Sequence, residues 1–129
     1  MSRGESSTPL GKVRGLGSAH HGGEHWLRER LTSAALLFLG LWLVVSLLLL
    51  PDLGRDTLGE WLAAPSGAVP MILFVILAFQ HSVDGLKVVI DDYVHGEANR
   101  LLVTGLLYFA AIGAGALALF SLAAIAFGA

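Results

Sequence analysis

At 129 residues, with 55% hydrophobic and only 14% charged residues, the chain is too apolar for an ordinary water-soluble domain, in which about a quarter of residues carry charge. Its apolar residues gather in three long blocks, leaving room for about three membrane-crossing helices and none for a separate soluble catalytic domain. It contains no cysteine, which excludes disulfides and thiolate-held iron–sulfur clusters, and its formal net charge of −2 comes without a basic patch suited to nucleic acid.

Residues 1–25 are polar and glycine-rich, with His20, His21 and His25 among them. No apolar period runs through this stretch, so it reads as a flexible N-terminal arm. The three histidines could suggest metal, but no cysteine or well-spaced carboxylate completes a tetrahedral set. A solvated or partner-contacting arm is the preferred reading.

A helix is expected from Trp26. Trp26-Leu27-Arg28-Glu29-Arg30-Leu31 places an aromatic ring and two arginines where a membrane interface favours them. The uncharged block Leu31 to Leu50 is 20 residues long, enough to cross a hydrocarbon core of ~30 Å. It exceeds the apolar run of a cleaved signal peptide, and two more apolar blocks follow, so it reads as a retained first span.

Pro51-Asp52-Leu53-Gly54-Arg55-Asp56 ends that span. Leu58, Trp61 and Leu62 suit a short amphipathic turn on the membrane surface, and Pro65, Ser66 and Gly67 suggest a second turn. The next span is expected to begin at Val69 or Pro70, since proline fits a first helical turn. Its uncharged run, Val69 to Phe79, has only 11 residues. That cannot cross a bilayer, so the helix must carry His81, Ser82, Asp84 and Lys87 inward to reach Ile90. His95-Gly96-Glu97-Ala98-Asn99-Arg100 forms the next polar break, and Leu101 to Phe127 is an uncharged third block. In that block Ala111/Gly115 and Ala114/Ala118 repeat small residues at four-residue spacing, which lets helix backbones approach closely.

The expected fold is therefore an all-α membrane protein. It has an N-terminal arm over 1–25 and a membrane domain over 26–129, with helices near 27–50, 69–94 and 100–127. Basic residues are concentrated in the arm and first helix (Arg3, Lys12, Arg14, Arg28, Arg30) and recur at Lys87 and Arg100, whereas the 51–68 loop has only Arg55. By the positive-inside rule the N-terminus and the 91–100 loop face the cytoplasm.

On the second membrane helix, His81, Asp84/Gly85, Val88 and Asp92 fall on one stripe. His81 and Asp92 are separated by about 16 Å along the axis. Ionisable residues within a span are costly and are read first as functional. A mid-membrane imidazole beside a glycine suits an axial ligand to haem iron; if the haem has two histidine ligands, the second must come from another chain. On composition alone an interhelical hydrogen bond or a proton path is the preferred reading. Tyr93 at the interface is either an anchor or a phenol donating to a quinone carbonyl, with Asp92 beside it. Asp84 and Lys87, three residues apart, partly neutralise one another and read as structural.

The run His81-x-x-x-Gly85-…-Asp92-Tyr93 resembles the second transmembrane helix of the bacterial D-type hydrophobic membrane anchors of succinate dehydrogenase (respiratory complex II). Arg30-Leu31-Thr32 and the pattern Gly15-x-Gly17-Ser18-Ala19-His20…His25-Trp26…Arg30 add to the resemblance, which covers residues 15–105 as a three-helix layout. It implies a non-catalytic subunit of a succinate:ubiquinone oxidoreductase in the bacterial inner membrane. Its partners would be a second membrane anchor (the C-type anchor of such complexes), an iron–sulfur subunit and a flavoprotein carrying FAD. Under the resemblance His81 is the haem b ligand, opposite a ligand from the second anchor. Tyr93 and Asp92 line the ubiquinone site, and Arg30 lies near the haem propionates or the quinone pocket. The competing expectations are a proton-pathway or transporter subunit using His81, Asp84 and Asp92 as a relay, and a structural assembly subunit.

Overall fold

The structure of the chain, a computed structural model, describes residues 22–128. These form four helices: α1 (Gly22–Leu49), α2 (Arg55–Ala63), α3 (Pro65–Tyr93) and α4 (Glu97–Phe127). Three of them are long and apolar enough to cross a membrane, over Trp26–Leu49, Pro65–Tyr93 and Glu97–Phe127. No strand occurs among the described residues. The described chain divides into two compact units, the first ending at Leu31 and the second beginning at Thr32.

Three helix starts differ from those expected, one of them that of α4, which begins at Glu97 rather than near 100 because its first turn is polar. Helix α1 begins at Gly22, inside the stretch read as a polar arm, while His20 and His21 lie outside the described residues. Helix α3 begins at Pro65, so Ser66 and Gly67 are helical and Pro70 falls inside the helix. The break between α2 and α3 is one residue, Ala64, with φ −73° and ψ 137°. Its cause is local: a proline bars the α conformation to the residue before it, and at the first helical position its missing N–H costs nothing. The N–H groups of Gly67 and Ala68 both bond the Ala64 carbonyl, each at 2.9 Å, which closes the first turn of α3.

The short connection folds the end of α2 back onto the start of α3. Gly67 is buried there, and a Cβ on it would run into the Trp61 carbonyl and come within 2.9 Å of the Trp61 carbonyl carbon. The close backbone approach thus depends on glycine. The Trp61 ring stacks on Trp42 of α1, with centroids 5.6 Å apart and planes 24° from parallel. This joins α2, the expected amphipathic segment, to the first span. Asp52 opens α2: its carboxylate accepts from the Gly54 N–H at 2.8 Å and the Thr57 hydroxyl at 2.7 Å. Those two bonds, the hydroxyl's first, hold its carboxyl below the usual range.

Helix α3 packs most extensively on α4, and α2 contacts both. Phe79 lies against Gly115, where an added Cβ would sit 3.7 Å from the ring. The small-residue face of the third block is used here for close helix packing. Gly96 turns the chain between α3 and α4 at φ +91°, a conformation side chains resist, and Gly128 ends α4 in the left-handed region at φ +72°. Arg100 reaches back to Asp91 at 3.9 Å, with both side chains about half exposed or more, so the pair is worth at most about 1 kcal/mol.

Among the described residues little is buried: Ala68, Val83 and Ile90 are the buried apolar side chains there, and large side chains such as Phe38, Leu48, Phe109 and Phe120 stand mostly exposed. In water such a surface would drive association; on spans it is the surface that lipid or neighbouring helices cover.

Candidate functional site

His81 sits near the middle of α3, about 24 Å from the Pro65 end and about 18 Å from the Tyr93 end. It is half-buried, and its Nδ1 atom is buried without a hydrogen-bond partner. A buried polar atom left unpaired costs about 1–3 kcal/mol. His81 Nδ1 is the buried side-chain polar atom that, among the described residues, has no partner within the chain.

Its neighbours on the helix divide by face. At about 100° per residue, Gly85, Val88 and Asp92 lie within roughly 40° of His81, Asp84 lies about 60° to one side, and Tyr93 about 120° round. Gly85, Val88 and Asp92 are exposed, Val88 by 50%, and nothing lies within 4 Å of where a Gly85 side chain would begin. Asp84 turns the other way and is only 7% exposed. The expected stripe is thus two surfaces. His81, Gly85, Val88 and Asp92 form an open one with empty space one turn beyond the imidazole, whereas Asp84 belongs to the interior, where it has an interaction partner of its own. The three groups of the alternative relay, His81, Asp84 and Asp92, consequently do not share one environment.

Tyr93, the last residue of α3, is 77% exposed. Its hydroxyl is free to meet a ligand or a partner, with the exposed Asp92 carboxylate adjacent in sequence. Arg30 lies on α1 in the other compact unit, exposed, with its guanidinium 5.3 Å from the centre of the Trp26 ring. Among the described residues no cluster of three or more His, Cys, Asp or Glu could hold a metal ion. An iron taken up here would draw one ligand from this chain, and His81 fits that part by its place at mid-span and the open space at Gly85 one turn away.

Sequence reasoning missed a second feature. Lys87 places its ammonium over the Tyr108 ring of α4, 5.8 Å from the centroid. Such a contact is worth about 0.5–2 kcal/mol, against about 2.5–3.5 kcal/mol to bring a lysine to the centre of a bilayer on insertion scales. Tyr108 carries no charge and sits in an apolar block, so only its level opposite Lys87 could have pointed to it. Next to this pair an apolar groove of about 260 Å³ runs between α3 and α4, lined by Phe79, Ser82, Val83 and Leu86 on one side and by Leu107, Ala110, Ala111 and Ala114 on the other.

Three candidate spans, no strand among the described residues and a half-buried histidine at the middle of the second span define a small multi-pass membrane protein. The match to known proteins gives that class its family. The chain belongs to the succinate dehydrogenase/fumarate reductase transmembrane subunits, whose family model matches residues 5–125. Among similar proteins, the succinate dehydrogenase hydrophobic membrane anchor subunit of Rickettsia bellii is 32% identical over 90 residues, 70% of each chain. That of Rickettsia conorii is 31% identical over 95 residues, 71% of this chain and 75% of the relative. The one from Paracoccus denitrificans is 30% identical over 96 residues, 74% of each.

Proposed function

We propose that the chain is a hydrophobic membrane anchor of a succinate:quinone oxidoreductase, docking a flavoprotein and an iron–sulfur subunit beside a second, C-type anchor. We further assign it one axial ligand of a shared haem b and part of a ubiquinone site. The observation that carries the reading is the half-buried His81 at mid-helix, with open space one turn away at Gly85. Family membership supports the complex, and the anchor function of the relatives supports the role.

In this reading His81 offers a neutral imidazole nitrogen to the haem iron, and Gly85 leaves the space a flat macrocycle needs one turn away. Haem b supplies one-electron redox chemistry when bound. A further ligand would come from the second anchor, in keeping with the lack of a second histidine within the span. Tyr93 donates its phenolic O–H to a quinone carbonyl, and Asp92 holds a proton at the same rim. The role of Arg30 at a haem propionate or the quinone pocket rests on the resemblance alone. The distribution of lysine and arginine favours a cytoplasmic N-terminus, which puts Tyr93 on the side where a soluble partner delivers electrons.

The test is a reduced-minus-oxidised optical spectrum of the complex purified through a tag on this chain. His81→Ala should abolish or strongly shift the haem b signal while the soluble subunits still co-purify. A haem b spectrum identical to that of the unsubstituted complex would overturn the ligand assignment.

A further inference from the structure

The α3–α4 groove and Lys87 together lie outside the site assigned above. Its walls are apolar, with only the Ser82 hydroxyl to break them. Leu86, the last α3 residue of the groove, is followed by Lys87, and Leu107, at the same end of the α4 wall, is followed by Tyr108. The groove is therefore flanked, beside Leu86 and Leu107, by a cation lying over a ring.

Among the described residues that cation lacks a counter-charge. The Lys87 ammonium makes no ion pair or hydrogen bond among them, and its one contact of note is the Tyr108 ring. The carboxylates nearest in sequence are engaged or turned away: Asp91 faces Arg100, and Asp84 is buried with a partner of its own. Lys87 is also about 9 Å of helix short of Tyr93, within reach of the headgroup layer by a lysine side chain that snorkels. A lysine so placed is stabilised by an anion arriving from the interface.

We infer that this groove binds an anionic phospholipid, with one acyl chain between Phe79 and Ala114 and the headgroup phosphate on Lys87. The charge of Lys87 selects the occupant. A neighbouring apolar helix would fill the groove and leave the ammonium uncompensated, whereas a lipid supplies a chain and an anion in one molecule. The site lies in the leaflet at the Tyr93 end of α3. Its α3 wall lies on the side of the helix away from His81.

The experiment uses the whole complex, purified through a tag on this chain and reconstituted into nanodiscs of phosphatidylcholine with a minor fraction of phosphatidylglycerol. Lipid carried through a detergent wash is then quantified by mass spectrometry. The unsubstituted complex should retain phosphatidylglycerol selectively. Lys87→Gln should weaken that retention about tenfold or more, as loss of a charge-assisted hydrogen bond predicts, and Lys87→Arg should restore it. Ala111→Phe, which fills the groove without touching the charge, should displace the lipid while the haem spectrum and the set of co-purifying chains stay unchanged. Equal retention by the unsubstituted complex and Lys87→Gln would refute the headgroup contact, and indifference to Ala111→Phe would refute the groove. A photo-reactive residue at Ser82 should capture phospholipid; capture of a polypeptide there would assign the groove to a protein partner and sink the proposal.

Discussion

Gly67→Ala adds a single methyl group where α2 turns into α3, and the structure sets its cost. The new Cβ would collide with the Trp61 carbonyl and lie 3.4 Å from Trp61 Cε2. A side chain in the way could rotate, but this obstacle is backbone, held in place by the one-residue connection through Ala64. Accommodating it in place falls at the upper part of the ~1–3 kcal/mol range for overpacking. The alternative is for α2 to lift off, which forfeits the Trp42–Trp61 stack, itself worth about 0.5–1.5 kcal/mol beyond the area buried. The chain takes the cheaper route, so a loss of about 2 kcal/mol is expected. The control is Gly59→Ala in the middle of α2, where nothing lies within 4 Å of the added atom. There alanine should stabilise the helix by about 0.5–1 kcal/mol. Denaturant unfolding of the detergent-solubilised complex, followed by tryptophan emission, measures both. If Gly67→Ala proves neutral, or shifts stability in the same direction as Gly59→Ala, the close approach at Trp61 does not constrain the turn.

Three further outcomes follow from particular contacts. Gly115→Ala should be tolerated, because its methyl group meets the Phe79 ring at an ordinary 3.7 Å, while Gly115→Leu should cost about 1–3 kcal/mol by forcing α3 and α4 apart; thermal denaturation of the complex separates the two. Tyr93→Phe removes only a hydroxyl from a side chain that is 77% exposed, so the complex should assemble normally and oxidise succinate with an artificial acceptor, yet reduce quinone poorly. Equal loss of both activities would trace the defect to assembly. Because the Thr57 and Gly54 hydrogen bonds lower the Asp52 pKa, Asp52 stabilises the start of α2 fully above the unfolded carboxylate value. That contribution fades as pH falls below about 4 and through the lowered folded value. Asp52→Asn should flatten this acid dependence in hydrogen exchange at Gly54, and an unchanged profile would contradict it.

How much of this was legible in the residues varies by feature. Helix α1 could be read because Leu31 to Leu50 is uncharged and long enough to cross. Helix α3 was recognised by a deficit, since its apolar run was too short without His81 and Asp84. Its start was misplaced by four residues because Pro65-Ser66-Gly67 has the composition of a turn. Yet proline is at no disadvantage in a first helical turn, and only Ala64 had to leave the helix. The start of α4 at Glu97 was hidden for a similar reason, because its first turn is polar. Helical periodicity grouped Asp84 with Gly85, as neighbours on one wide stripe. It could not say that one would be buried and the other open, since that depends on where the adjoining helices lie.

The sequence by itself determined the class: three apolar blocks, a histidine and a carboxylate forced into the bilayer by span length, and a motif at His81, Gly85, Asp92 and Tyr93 that matches one family. These are properties of composition and spacing, which act along a single helix. Only the tertiary structure decided which face of α3 is open. It alone showed that His81 Nδ1 has no partner within the chain, that Gly67 must yield to the Trp61 carbonyl, and that Lys87 stands over Tyr108 beside an apolar groove. Each of these depends on atoms from residues distant in sequence or on opposite sides of a turn, so no period or spacing along the chain encodes it.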